Sequence, residues 1–374
     1  MRFSLGAGEW WLGRDNRVIE IDGSILEGGG QILRVSTGIS AVTLKPLRVI
    51  NIRAKRSPPG LRPQHLTATK AIAELVKANL HGAKLGSQLI EFTPEKHRAG
   101  SFQFDTGTAG STTLILQALM PAACFAPGPV AFVVKGGTNN PWAPPIDYLQ
   151  QVLLPVVRRM GLDASVQTAR RGFYPIGGGV VEAAIQPTQR VMPLTAVERG
   201  KLQEIRGLLY SSRLPRHILD RMATAAEKIL SNAGYPPPRF SLEHLDSPSE
   251  KCALSPGCGI VLVAEFEGGA LIGTDALGER GKPAEKVAGE AAQAMLTELD
   301  TGGYVDRHLA DQLIVWMSLA EGVSEITVGC LTLHTLTSIE VCRTMLPVKF
   351  HVEGELNKPA RIRCEGAGLR NAYL

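Results

Sequence analysis

Cysteine is scarce in this 374-residue sequence, and its spacing contains no recognisable motif. The six cysteines include no C-x-x-C pair, so neither a disulfide framework nor a zinc site is indicated. We therefore expect the thiols to be reduced.

Long hydrophobic runs are also missing. The longest apolar stretch, residues 114–134, contains Gln117 and three prolines, which is typical of a core helix followed by a strand. No membrane segment is expected. The first 16 residues lack a basic region followed by an apolar region, so we expect no secretory signal and a cytoplasmic location.

Three common nucleotide-site motifs are absent. There is no G-x-x-x-x-G-K-[ST] segment, no G-x-G-x-x-G after a strand, and no Lys-x-Asp-Gly run, since IDGS (21–24) follows Glu20. These absences exclude a P-loop and argue against a dinucleotide fold or a lysine-dependent ligase. An enzyme that uses a nucleotide here would need another nucleophile.

Composition describes an ordinary folded protein, with 44% apolar and 20% charged residues. The length predicts a large core plus a second domain. The net charge is only +5, yet residues 53–70 contain five basic residues and no acid. This basic loop indicates a ligand that bears phosphate, and the alternative is an ordinary solvated loop.

The order of the predicted elements repeats three times. Each unit has a turn, an apolar helix, a strand, a polar loop, a second helix and a further strand. The first helices are expected near residues 31, 111 and 306, and the second helices near 64, 145 and 337. The offsets of about 33, 34 and 31 residues indicate related units.

A segment of about 105 residues, Glu198 to Gly302, interrupts this period. It contains two predicted strands, LQEIRGLLYSS and RFSLEHL, two helices and a hairpin that turns at Gly268 and Gly269. We predict an α+β fold with a core of three repeated units (1–197 and 303–374) and a smaller inserted α/β domain (198–302).

His334 lies in the run VGCLTLHTLTSIEV (328–341), beside apolar and β-branched residues. Thr337 and Glu340 have the spacing of a capping box, which predicts a helix from Ser338 to Leu346 with His334 just before it. Free backbone amides at a helix start favour an anion, and neutral imidazole is a competent nucleophile. A single histidine in such a run is more often a hydrogen-bonded core residue, and the local pattern alone does not decide between the two.

Several glycine-rich segments stand at equivalent places in the units. LEGGGQILR (26–34) places three glycines at a helix start, between Glu27 and Arg34, and TAGSTT (108–113) and KGGTNNPWAPP (135–145) belong to the second unit. Each segment could simply form a turn. Together they could converge on one phosphate site, with Glu27 as a metal ligand.

With these residues considered together, the chain resembles the RNA 3'-terminal phosphate cyclases. The resemblance covers Ile19 to about Ile362 and includes DGSILEGGGQILR, RAKRSPPGLRPQHLTA, TAGSTTLILQ, KGGTNNPWAPPIDY, GFYPIGGG, HLADQL and TLHTLTSI. It implies a core of three units with one inserted domain. It also implies ATP-dependent conversion of an RNA 3'-phosphate end to a 2',3'-cyclic phosphate.

The resemblance assigns roles to individual residues. His334 matches the nucleophile that forms a covalent AMP-histidine, and Glu27 and Asp311 match acidic positions that would hold Mg²⁺ or Mn²⁺. The expected ATP or AMP site consists of Gln117, Pro144, Pro145, His308, Leu309, Ala310, Asp311 and Gln312. The expected phosphate and RNA-end site consists of Glu27, Gln31, Arg34, Arg53, Arg56, Gln64 and His65. The implied partners are ATP and an RNA with a 3'-phosphate end.

One position departs from the family pattern. His308 stands immediately before LADQ, where tyrosine is usual, so stacking on adenine would have less area. His308 is also a rival nucleophile, although no threonine-rich loop follows it. Residues 1–18, with Trp10 and Trp11, lie outside the resemblance.

Two other functions remain open at this point. A cyclase-like protein without catalysis could bind RNA or assist ribosome assembly. The presence of His334, Arg34 and Asp311 argues against this alternative, because a binding protein could lose them. An unrelated three-unit enzyme for phosphorylated metabolites would form no covalent nucleotide. The physiological RNA and the oligomeric state, with a dimer as one alternative, are left open.

Overall fold

The structure is a computed structural model that describes residues 17–374. The described part of the chain combines helices with four sheets of four strands each. The prediction of an α+β fold is confirmed. The segment with Trp10 and Trp11 lies outside the described residues.

The first unit is a small sheet with two helices. Its elements are β1 (Ile19–Asp22), α1 (Gly30–Thr43), β2 (Leu47–Ile50), α2 (Pro63–Leu75), β3 (Asn79–His81) and β4 (Ile90–Thr93). β1 and β2 are parallel, whereas β4 pairs antiparallel with both β2 and β3, so the strand order is β1-β2-β4-β3. Parallel neighbours need a crossover connection, and α1 provides it.

The second unit has the same topology. Its elements are β5 (Gly100–Asp105), α3 (Thr112–Cys124), β6 (Val130–Gly136), α4 (Ile146–Tyr148), a π-helical turn (Leu149–Leu153), α5 (Leu154–Arg159), β7 (Ala164–Arg170) and β8 (Gly179–Ile185). β5 and β6 are parallel, and the order is β5-β6-β8-β7.

The third unit begins with β9 (Thr195–Ala196) and is then interrupted. The interrupting segment contains β10 (Leu202–Ser212), α6 (His217–Asn232), β11 (Arg239–Leu245), β12 (Gly257–Phe266), β13 (Leu271–Leu277) and α7 (Ala284–Thr301). Its strands form a sheet of their own, in the order β11-β10-β12-β13. The division of the chain into domains at residues 198 and 302 stays a prediction.

The third unit then resumes with its first helix. The remaining elements are α8 (Arg307–Leu319), β14 (Val323–Val328), α9 (Leu333–Met345), β15 (Lys349–Gly354) and β16 (Ala360–Glu365). β9 and β14 are parallel and the order is β9-β14-β16-β15, so all three units share one strand order.

Helix packing joins the units into one core. α1 packs against α2, α3 and α9, while α8 packs against α9 and α3. Within the described chain, we find no helix that has both the length and the apolar character needed to span a bilayer.

The repeated topology gathers the connecting loops. In each unit the two parallel strands end at the same edge of the sheet, as the carboxyl ends of parallel neighbours must. The loops 23–29 and 51–62 follow β1 and β2, and the loops 106–111 and 137–145 follow β5 and β6. The residues before α9 follow β14 in the same way. The fold therefore places the glycine-rich and basic segments at equivalent edges.

A buried charge cluster ties the second unit to the interrupting segment. The guanidinium of Arg171 pairs with Asp147 at 2.9 Å and with Glu243 of β11 at 2.6 Å. It also lies 4.1 Å from the centre of the Tyr210 ring on β10. Removing one member of such a cluster leaves a buried charge without its partner.

Arg171→Ala should therefore lower the free energy of unfolding by about 3–5 kcal/mol in urea titrations. Arg239→Ala is the matched control on the same strand as Glu243, because its ion pair with Glu204 is exposed. The control should change stability by less than about 1 kcal/mol. Equal effects of the two substitutions would contradict this view of the cluster.

Candidate active site

His334 lies in the first turn of α9, not before it. Thr332 is the N-cap, and its hydroxyl accepts a hydrogen bond from the backbone N–H of Thr335 at 3.1 Å. The predicted capping box at Thr337 and Glu340, with a helix from Ser338, is wrong. Thr337 instead donates its hydroxyl to the carbonyl of Leu333 at 2.7 Å, as a threonine inside a helix can. The offset between the two helices of this unit is accordingly shorter than predicted.

Gln31 of α1 holds the His334 ring. Its Oε1 is 2.7 Å from His334 Nδ1, while its Nε2 donates to Asp311 Oδ2 at 2.6 Å and to Ser338 Oγ at 3.0 Å. Because the amide nitrogen faces a carboxylate, the amide oxygen faces the imidazole and accepts the Nδ1 proton. The Nε2 of His334 then keeps its lone pair.

Burial and charge keep His334 neutral. Desolvation lowers the pKa of its imidazole below the usual 6.5, and Arg34, His308 and Arg56 lower it further. The side chain is still 53% exposed, so a substrate can reach the ring. A neutral, accessible imidazole with a free Nε2 satisfies the requirements for a nucleophile.

Asp311 and Arg34, both half-buried, carry opposite charges that interact beside Gln31. Burial raises the pKa of Asp311 to about 7, although Arg34 opposes that shift. Burial also lowers the pKa of Arg34 to about 10, and Asp311 opposes it. Arg34 remains cationic at neutral pH and can receive an anion.

Glu27 joins the glycine-rich loop to this network. Its carboxylate pairs with Arg56, and its Oε1 is 4.0 Å from His334 Nε2. Its backbone N–H donates to the hydroxyl of Thr337 at 3.3 Å, which ties the loop to α9. The second carboxylate oxygen of Glu27 is buried and has no hydrogen-bond partner among the described residues.

His65 stands on the other side of the glycine-rich loop. Burial and the charges of Arg34, Arg53 and Arg62 lower its pKa to about 3, so the ring is neutral. Its Nδ1 accepts from the backbone N–H of Arg62 at 3.3 Å, which leaves a proton on Nε2. His65 can therefore donate a hydrogen bond toward the loop.

Two residues predicted for the phosphate site have contacts within the protein. Arg53 donates to the carbonyls of Pro58 and Gly60, both at 2.9 Å, and so holds the basic loop together. Gln64 accepts a 3.5 Å hydrogen bond from the backbone N–H of Ser111. Through Gln64 the first unit contacts the loop 106–111 of the second.

A cleft opens between α1, α3 and α8, next to this network. It contains about 590 Å³ of empty space when its open mouth is counted. Gln31, Arg34 and Asp311 line it on one side. Gln117 and Gln312 also line it, and Gln117 Nε2 donates to Gln312 Oε1 at 2.7 Å.

The other residues predicted for the nucleotide site are placed differently. His308 is exposed at the start of α8 and lies close enough to affect His334. Leu309 and Ala310 are fully buried, so only their backbone could contact a ligand. Pro144 and Pro145 end the loop 137–145, and Pro145 is the N-cap of α4. The roles of all these residues stay predictions.

Sequence reasoning did not assign three residues that support the site to that role. Thr332 caps α9, Thr337 bonds the glycine-rich loop, and Ser338 bonds Gln31. The threonine-rich character of TLHTLTS indicated polar contacts, but the partners of Thr337 and Ser338 lie about 300 residues away.

The residues present fit a divalent ion that is shared with a ligand. Among residues 17–374, no three His, Cys, Asp or Glu side chains form a metal cluster. Glu27 nevertheless offers a buried carboxylate oxygen without a partner, and Mg²⁺ typically takes one or two carboxylates plus phosphate oxygens and water. Asp311 bonds to Gln31, which contacts the Nδ1 side of His334, whereas Glu27 faces Nε2.

Comparison with known proteins defines the class. A family model described as RNA 3'-terminal phosphate cyclase matches residues 25–352. Because the match covers most of the chain, this protein belongs to the RNA 3'-terminal phosphate cyclase family.

Individual relatives agree with that assignment. The RNA 3'-terminal phosphate cyclase of Ignicoccus hospitalis is 47% identical over 350 residues, which are 93% of this chain and 99% of the relative. The protein of the same name from Staphylothermus marinus is 48% identical over 354 residues, 94% of this chain and 99% of the relative.

Among solved structures, the enolpyruvyl transferase NikO from Streptomyces tendae has a TM-score of 0.37 at 12% identity, covering 96% of this chain and 49% of that one.

Gly30→Ala should disrupt the site because a Cβ at this position would lie 2.2 Å from Nε2 of His65. We expect loss of most activity in a turnover assay, with His65 and Arg34 displaced. Gly289→Ala is the matched control in α7, where the added Cβ would make an ordinary 3.6 Å contact. Full activity of Gly30→Ala would show that the close approach is not needed.

Proposed function

We propose that this protein uses ATP to convert a 3'-phosphate at an RNA end into a 2',3'-cyclic phosphate, through a covalent AMP on His334. The observation that carries the proposal is the arrangement of His334, whose Nδ1 is held by Gln31 while Nε2 stays free and accessible. The family assignment supplies the RNA end as the substrate class.

In the first step, Nε2 of His334 attacks the α-phosphorus of ATP. A P–N bond forms, the bond from the α-phosphorus to the bridging oxygen breaks, and pyrophosphate leaves. The ring becomes cationic, and the contact of Nδ1–H with Gln31 Oε1 stabilises that charge. The location of His334 in the first turn of α9 adds backbone amides that favour the phosphate.

In the second step, an oxygen of the RNA 3'-phosphate attacks the same phosphorus. The P–N bond breaks and the neutral ring is restored, which the lowered pKa of His334 favours. The vicinal 2'-hydroxyl then attacks the 3'-phosphorus, loses its proton and displaces AMP. Ring closure needs a 2'-hydroxyl, so the acceptor is RNA rather than DNA.

Arg34, Arg56 and His65 are the groups that we propose for the phosphates. Arg34 is cationic beside the cleft, Arg56 reaches the network through Glu27, and neutral His65 donates from Nε2. The cleft lined by Gln117 and Gln312 is the proposed adenosine site. By the family resemblance, His308 would take the stacking position, Leu309 and Ala310 would contribute backbone, and Pro144 and Pro145 would also contact the nucleotide.

Glu27 is the residue that we propose for Mg²⁺ or Mn²⁺. Its unpartnered oxygen is the observation that supports this choice. Asp311 was predicted as a second ligand, but its bond to Gln31 makes it a positioning residue for the imidazole in this proposal. When bound, the ion would offset the charge of the triphosphate.

The proposal predicts that the purified protein with ATP and Mg²⁺ converts a 3'-phosphate RNA to a 2',3'-cyclic end, resolved by gel mobility and resistance to phosphatase. His334→Ala should abolish the conversion. A wild-type protein that binds the RNA without converting it would contradict the proposal and favour the RNA-binding alternative.

The pH dependence follows from the lowered pKa of His334. Transfer of AMP to the ring needs neutral imidazole. Because the pKa of His334 is lowered, the fall in rate on the acid side should lie below pH 6.5. His308→Phe removes one of the groups that lower this pKa, and the acid limb should move to higher pH. Single-turnover rates with ATP measure both profiles.

A wild-type acid limb above pH 6.5 would contradict this account of the His334 pKa. An unchanged limb in His308→Phe would show that desolvation and the arginines alone set it.

A further inference from the structure

Three large apolar side chains are exposed on two loops of the second unit. Trp142 is 97% exposed, Tyr174 66% and Ile176 54%. We call this group the aromatic rim. Exposed apolar groups that gather in this way mark interaction sites more often than single ones do.

The two loops that carry the aromatic rim adjoin each other. One follows β6 and the other precedes β8, its antiparallel partner. They bridge in parallel at Asn139 and Phe173, where the N–H of Thr138 donates to Gly172 at 2.9 Å. Since the segments run in the same direction, Trp142 and Tyr174 lie just past the same bridge.

Trp142 is presented on a fixed backbone. Its φ of 63° lies in the left-handed region, which is uncommon for a bulky residue. Prolines at 141 and 144 stiffen the loop, and Asn140 bonds its Nδ2 to the carbonyl of Ala109. Backbone conformations of this kind gather at ligand sites, and a rigid aromatic loses little entropy on binding.

A continuous series of contacts connects the aromatic rim with the proposed phosphate site. A Cβ on Gly177 would lie 2.7 Å from the Cα of Ala109, so the loop before β8 rests on the loop 106–111. Ser111 of that loop bonds Gln64, the neighbour of His65. These contacts connect the first unit, through the loop 106–111, with the loop before β8 and, through Asn140, with the loop that carries Trp142.

Basic residues border the aromatic rim. Lys135 is exposed near the end of β6, and Arg170 bonds through Nε to the carbonyl of Gly178 in the loop before β8. Aromatic faces beside cationic side chains suit unpaired nucleobases and their phosphates.

We propose that the aromatic rim stacks the unpaired bases that precede the 3'-terminal nucleotide of the RNA, while the 3'-phosphate lies near His334. This inference rests on the proposed function, because the chain must leave the phosphate site along some part of the surface. Trp142 and Tyr174 would set a preference for single-stranded ends without reading their sequence, since every base has a π-face.

The test is a double-mutant cycle between side chain and base. The probe is a short, fluorescently labelled single-stranded RNA with a 3'-phosphate, either intact or with abasic nucleotides before the terminal one. Binding is measured by anisotropy without ATP, so no turnover occurs. Trp142→Ala alone should weaken binding of the intact RNA by roughly 5- to 150-fold, and Trp142→Ala with Tyr174→Ala should weaken it further. The same variant should bind the abasic RNA about as weakly as the wild type does.

Two controls separate stacking from misfolding. Trp142→Phe keeps a π-face and should restore most of the affinity. Tyr373→Ala removes an exposed aromatic that contacts His97, far along the chain from both loops, and should bind RNA like the wild type.

Unchanged affinity of the double variant for intact RNA would overturn the inference, as would an equal loss for the abasic RNA. Neither result depends on catalysis. Cyclisation of the RNA by the wild type with ATP tests the proposed function separately, so the two ideas can fail independently.

Discussion

The site depends on one side chain, Gln31, which joins three helices from two units. Its amide oxygen takes the Nδ1 proton of His334 on α9, and its amide nitrogen serves Asp311 on α8 and Ser338 on α9. With its donors and acceptor all engaged, the amide has one sensible orientation, and the imidazole has one tautomer. The accessible Nε2 of His334, and hence the proposed nucleophile, follows from that arrangement.

The threefold repeat explains why distant segments can form such a site. Each unit ends its two parallel strands at one edge, so the loops that follow them occupy equivalent places. The first unit supplies glycine and basic residues, the second supplies polar and aromatic loops, and the third supplies His334. The edges of three small sheets with short strands therefore contribute to one candidate site, whereas an open α/β fold forms its site at the carboxyl edge of a single larger sheet.

Long periodic segments are predictable from the residues alone. β10 and β11 have the bounds that LQEIRGLLYSS and RFSLEHL indicate, and the first helices begin within one residue of the expected positions. β1 and β9, with four and two residues, are too short to show a period. At α9 two threonines compete as caps; Thr332 is the N-cap, whereas Thr337 lies inside the helix and accepts from the N–H of Glu27, 310 residues away. The residue types of the site were accessible from the sequence, but their pairing depends on packing between units.

The central claim is that His334 is the nucleophile whose Nε2 accepts AMP. The most direct measurement incubates wild type, His334→Ala and His308→Ala with Mg²⁺ and α-labelled ATP, then maps any protein-bound label by proteolysis. The account predicts an acid-labile, base-stable label on the peptide that contains His334, present in wild type and His308→Ala and absent from His334→Ala. Label that persists in His334→Ala, or a wild type that stays unlabelled with each metal tested, would contradict it.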